Sequence, residues 1–192
     1  MKPCNAIDEA AKLLCSQRIL KLYVDPLRLN YKKPVRFETI QRYCEHTRQI
    51  RAQIIHLSSQ DGITVLRPGK PPLVLYNEHA PPRRRAFTQA HEVGHIYLNH
   101  RDDNPKNEIP ANIFAANLLA PRILLWEINR LNGSSAVDIS QICTLFLISK
   151  RAAQVQFRNL PKSPKAFSDI EWQMLELYKP LLAHPNEPAL GF

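Results

Sequence analysis

The sequence predicts an α+β domain, and three observations carry that prediction. Three short runs with strand character, residues 52–57, 62–66 and 73–77, follow one another with turn residues at 58–62 and 67–72 between them. Directly after them, residues 83–95 contain His91-Glu92-Val93-Gly94-His95, an H-E-x-x-H pattern in a helical setting. Amphipathic helical stretches then occupy both ends of the chain.

The elements follow in order. Residues 6–23 read as a helix in which Ala10, Leu13, Leu14, Ile19 and Leu20 are spaced to pack on one side, and Asp25-Pro26 breaks it. A basic, proline-interrupted segment, 27–35, precedes a second helix at 38–47. After the strands, residues 88–97 hold no proline, and Ala90, Val93, Ile96, Tyr97 and Leu98 form an apolar helical stripe. The next apolar run, 108–121, reads as a helix with Pro110 in its first turn and Pro121 at its end. A helix over 122–131 stops at Asn132-Gly133. Helices at 139–147 and 150–160, capped at Asp138 with Gln141 three residues on and at Ser149, resemble a helix-turn-helix. Ser168-Asp169-Ile170-Glu171 is a capping box for a last helix with Trp172, Leu175, Leu177, Tyr178 and Leu181 on its apolar side, ending near Pro180, with a loose tail at 184–192. The expected division is an N-terminal helical segment (1–49), a core (50–133), the helical pair packed on it (134–166), and a C-terminal helix with its tail (167–192).

Chemistry concentrates in the H-E-x-x-H segment. His91 and His95 stand four residues apart, so on a helix they share a face one turn apart and can bind a single metal ion. Glu92 projects beside that face, where a carboxylate can take a proton from the attacking water without ligating metal. A catalytic zinc takes three protein ligands and keeps a fourth position open. Glu108 ranks first as the third ligand: Ala111, Asn112 and Ala115 follow it at three, four and seven residues, lining its face with small side chains that allow close helix packing. Asp102, Asp103 and His100 are the rivals; His100 follows His91 by nine residues without the glycine turn of the extended zincin pattern. His56 and His79 have no partner at ligand spacing and read as structural.

Two blocks together, R-R-x-F-T-x-A-H-E-x-G-H at Arg84 to His95 and E-x-x-A-N-x-F-A-A-x-L-L-x-P at Glu108 to Pro121, resemble the ImmA/IrrE family of metallopeptidases. The resemblance implies a zincin-like, specifically gluzincin-like, metallopeptidase core with His91, His95 and Glu108 holding zinc and Glu92 as general base. Manganese is an alternative metal. It also implies protein substrates among helix-turn-helix repressors, cut so that transcription is released. Glu108 follows His95 by thirteen positions, a short connection for this family. If strand 73–77 is the sheet edge beside the metal, its unpaired backbone groups can hold an extended substrate.

At 192 residues the chain is long enough for one domain with a substantial core. No apolar run approaches a membrane span, and Asp8 and Glu9 stand where a signal peptide has its apolar block, so a cytoplasmic protein is expected. Cys4, Cys15, Cys44 and Cys143 include no C-x-x-C pair, which argues against a zinc knuckle or a disulfide framework and for reduced packing residues. The 26 basic against 17 acidic residues, net +9, attract polyanions or acidic partners, and Arg83-Arg84-Arg85 stands immediately before the catalytic helix. Between Asp138 and Asp169 there is no acid, while Lys150, Arg151, Arg158, Lys162 and Lys165 are basic. The pair at 139–160 is short of side chains for reading base edges, so the DNA binding it predicts is weak or indirect. A second class of function rests on the same residues: a non-proteolytic metal-binding regulator that contacts DNA or a partner through this basic pair.

Overall fold

The helix that carries both histidines starts where Pro81-Pro82 end the preceding chain: Pro82 occupies the first turn, where its missing N–H costs no hydrogen bond. In the computed structural model this helix, Pro82–Tyr97, lies against a small sheet on one side and against a helix at Glu108–Leu119 on the other. The structure describes residues 3–15, 51–55, 61–66, 68–69, 72–77, 79–131, 133, 138–146 and 148–183. The described elements run in the order α1 (Pro3–Cys15), β1 (Arg51–Ile55), β2 (Gly62–Val65), β3 (Leu73–Asn77), α2 (Pro82–Tyr97), α3 (Glu108–Leu119), α4 (Arg122–Leu131), α5 (Ile139–Phe146), α6 (Lys150–Arg158) and α7 (Asp169–Ala183). The architecture is a mostly helical α+β fold. The helix expected at 38–47, His56, and the part of the first helix expected beyond residue 15 lie outside the described residues.

The strand order is β1-β3-β2, with β3 parallel to β1 and antiparallel to β2. This corrects the expectation that residues 73–77 form the edge beside the metal motif. Strand β3 is paired on both sides, and β2 is an edge strand among the described residues. The hairpin between them closes through Gly69 at φ 64°, a left-handed value that glycine adopts without steric cost.

Helix α3, rich in small and apolar side chains, is the centre of the core. It packs on α2 and on α1, and Ala111, Phe114, Ala115 and Leu118 are wholly buried. The approach of α2 to α3 depends on Gly94. A Cβ there would stand 3.0 Å from Phe114 Cδ1 and 3.3 Å from the Ala111 carbonyl oxygen. The side-chain-free position lets the two helices meet closely enough for groups on each to share one site. Phe114→Ala should destabilise the fold by about 3–5 kcal/mol, since it removes a fully buried ring and leaves a cavity; a urea titration reads this directly. A shift within 1 kcal/mol would mean that the site collapses and that α3 is not the rigid centre.

The other helices enclose this core. Asn117, buried on α3, donates to the Ile113 carbonyl oxygen at 2.9 Å and accepts from the Arg122 amide at 3.3 Å, joining α3 to the first turn of α4. Ser149 caps α6 by accepting from the Ala152 amide at 3.1 Å. The capping box at Ser168 is present in its return half, with the Ser168 amide donating to Glu171 at 3.0 Å. Arg122 holds the buried Glu171 with two bonds of 2.7 Å, and Trp126, Phe167 and Trp172 meet edge to face where α7 closes on α4. Helix α7 continues past Pro180 to Ala183, beyond the stop expected at that proline. Cys15 and Cys143 are free thiols, the latter buried. Among the described residues no single helix is long and apolar enough to cross a membrane.

Candidate metal centre

Helix periodicity places His91 and His95 one turn apart on the face of α2 that looks toward the start of α3, and Glu108 is the first residue of α3. The close α2–α3 crossing at Gly94 then brings the three side chains together. His91 Nε2 lies 3.0 Å from His95 Nε2, Glu108 Oε2 lies 3.3 Å from His91 Nε2, and Glu108 Oε1 lies 3.5 Å from His95 Nε2. The donor atoms of all three lie within 4.8 Å of one another. Ligands at about 2.0–2.1 Å from a tetrahedral ion stand about 3.3 Å apart, so the spacing matches a single small cation shared by the three.

The hydrogen bonds behind the imidazoles show that the donors are aimed. Asn112, one turn along α3 from Glu108, presents Oδ1 to His91 Nδ1 at 3.0 Å. An amide oxygen can only accept, so Nδ1 of His91 carries a proton, and in the neutral ring Nε2 then has a bare lone pair. His100 Nδ1 lies 3.1 Å from His95 Nδ1. When His95 donates this bond, its Nε2 is also bare. Two bare nitrogens facing each other at 3.0 Å repel unless a cation lies between them, and that is the chemistry of a metal-binding donor set. Burial, reinforced by the neighbouring His91, pushes the His95 imidazole down to about 4, which keeps the ring neutral and its lone pair available near neutral pH. Burial also lowers His100, which keeps that ring neutral and able to accept from His95.

His100 reaches its place through the end of α2. Asn99 adopts φ 56°, the His100 amide donates to the His95 carbonyl oxygen at 2.9 Å, and the Asn99 amide donates to Ile96 at 3.2 Å. This is a Schellman stop in which asparagine takes the left-handed position that glycine usually fills. The turn folds His100 back over His95. His100 therefore stands behind His95 and outside the three-residue cluster, whereas the sequence placed it among rival ligands. Asp102 and Asp103, the other rivals, line the mouth of the cleft and are not in the three-residue cluster. His79 is in an exposed turn after β3, away from the cleft.

Glu92 lies on the neighbouring face of α2, where Gly62 and Thr64 of β2 come down on it. Residues two apart on a strand share a face. A Cβ at Gly62 would collide with Thr88 Cγ2 and stand 3.4 Å from Glu92 Cγ, so only glycine lets the strand lie this close. Thr64 Oγ1 donates to Glu92 Oε2 at 2.6 Å and fixes the carboxylate. Burial raises the Glu92 carboxyl above its ordinary range, although the Thr64 bond opposes the rise. The whole group lines one cleft of about 1040 Å³, bounded by β2, α2, the start of α3 and the turn at residues 100–105.

Thr64 and Asn112 were not visible as functional residues in the sequence. Asn112 had appeared only as a small residue on the Glu108 face, and the one signal that points to it is its spacing of four from Glu108. If Asn112 and His100 orient ligands, Asn112→Leu and His100→Phe should each weaken metal affinity by about 10- to 100-fold in a competition titration against a chromogenic chelator. Unchanged affinity in either would leave that residue a packing role only.

A helical pair of imidazoles, an acidic residue from the next helix and a carboxylate held beside them define the layout of a metal-dependent hydrolase. The family model for peptidase M78, the IrrE N-terminal-like domain, matches residues 46–158, more than half of the chain. The chain belongs to this family of peptidases, in agreement with the ImmA/IrrE resemblance of its two motif blocks. No curated protein matches the chain.

Proposed function

We propose that the protein is a zinc-dependent endopeptidase in which His91, His95 and Glu108 hold the metal and Glu92 is the general base. The observation that carries this reading is the convergence of three metal-donor side chains beside a carboxylate fixed by Thr64. Zinc bound there supplies Lewis-acid chemistry, polarising the scissile carbonyl and lowering the pKa of water to about 7, and manganese is the alternative metal. Glu92 takes the proton of the attacking water on its carboxylate and passes it to the leaving amine nitrogen. Thr64 keeps Oε2 in place, and Glu92 lines the cleft, so the carboxylate is held where that transfer takes place. The outer edge of β2, Gly62–Val65, offers backbone groups to a peptide that lies extended across the cleft.

The substrate we infer from the family resemblance is a helix-turn-helix repressor, cut in an exposed or locally unfolded segment. The test is incubation with a helix-turn-helix regulator encoded beside this protein, with and without chelator. Cleavage that chelator abolishes is expected; no cleavage by metal-loaded protein under any inducing condition would overturn the reading. Thr64→Val should lower kcat by about tenfold with metal content unchanged, because the base loses the bond that orients it. Wild-type kcat in that variant would remove Thr64 from the mechanism.

A further inference from the structure

A second hollow of about 1040 Å³ lies between the start of α2, α3 and α6, and nothing in the hydrolytic scheme uses it. Its floor is the α3 face of Ile109, Asn112, Ile113 and Ala116, and its walls are the first turns of α2 and the length of α6. Apolar side chains stand open to solvent there, with Ile109 65% and Val155 47% exposed. Phe87 and Asn112 line both this groove and the catalytic cleft, so the two adjoin. The charge on its rim has one sign. Arg83 from α2 and Arg151 from α6 both line it, exposed and making no ion pair among the described residues, and among the described residues no acidic side chain lines it.

We propose that this groove is an exosite for an acidic amphipathic helix of the protein substrate, lying over α3 between the start of α2 and α6; this rests on the peptidase reading. A channel between two helices with an apolar floor receives the apolar stripe of a third helix. Arg83 and Arg151 then meet carboxylates on its flanks, a pairing that steers association and selects against basic partners. Because the two hollows adjoin at Phe87 and Asn112, the chain that leaves the helix has only these side chains to pass before it runs extended into the cleft. The exosite thus selects substrates by a helix outside the cut segment.

The probe is a fluorescein-labelled synthetic peptide with leucines at helical-stripe spacing and glutamates on its other face. Its anisotropy is followed against the full-length chain. Arg83→Glu with Arg151→Glu, and separately Val155→Asp, should each weaken binding by about tenfold or more. These side chains are exposed, and an unchanged thermal transition confirms the fold. A scrambled peptide of the same composition and a version with lysines for glutamates should bind at least about tenfold more weakly than the probe. Binding in Glu92→Gln should equal wild type, so the groove is read separately from the chemistry. Appended to a cleavable peptide, the same helix should lower KM by about tenfold with kcat unchanged; Val155→Asp should erase that gain without altering cleavage of the bare peptide. Equal binding of probe and scrambled peptide, or undiminished binding by the variants, overturns the exosite. Groove-dependent binding without any cleavage instead counts against the peptidase reading.

Discussion

Glu92→Gln should bind one equivalent of metal and cut nothing at a measurable rate. The substitution keeps the shape of the side chain and its contact with Thr64, and it leaves His91, His95 and Glu108 untouched. What it removes is the ability to accept the proton of the attacking water. Loss of a general base costs about 10²- to 10⁴-fold, and because this carboxylate also orients the water, the upper end or beyond is expected. The measurement is cleavage of a repressor substrate over time by wild type and variant, with metal content confirmed in both. Equal rates in two metal-loaded proteins would remove Glu92 from catalysis.

Replacing a metal donor should have a different signature. His91→Ala and His95→Ala should each lose the metal as well as the activity, because two ligands cannot hold the ion against solvent as three do. In wild type, metal at about a hundred times its dissociation constant should stabilise the fold by about 2.7 kcal/mol, visible as a rise in the thermal midpoint; neither variant should show it. Elemental analysis with full occupancy in both variants would end the assignment. Glu108→Ala should also weaken binding, and untouched affinity would transfer the third position to Asp102 or Asp103 at the cleft mouth.

Much of this molecule was legible from local pattern. The strand at Leu73–Asn77, the helices at Glu108–Leu119 and Arg122–Leu131 and the Ser149 cap lie where periodicity and turn chemistry put them. Where such reading failed, a longer-range choice had intervened. Strand periodicity gives each strand its two faces but not its neighbours, so the central place of β3 and the edge position of β2 were open until β1 paired with β3. The proline at 180 predicted a stop, but the helix continues through it to Ala183.

The same division runs through the site. Local spacing by itself determined that His91 and His95 share a face with Glu92 beside them, because 3.6 residues per turn is a property of the helix alone. It also determined that Glu108 opens a helix bearing small residues. Only the tertiary structure decided that this helix crosses α2 at Gly94, where a missing Cβ permits the approach that brings Glu108 to the histidines. It alone decided that Asn112 faces His91, that the Asn99 turn folds His100 behind His95, and that Thr64 reaches Glu92 across twenty-eight residues of chain. Those contacts join different elements, and no periodicity within one element specifies which side chain of another it will meet.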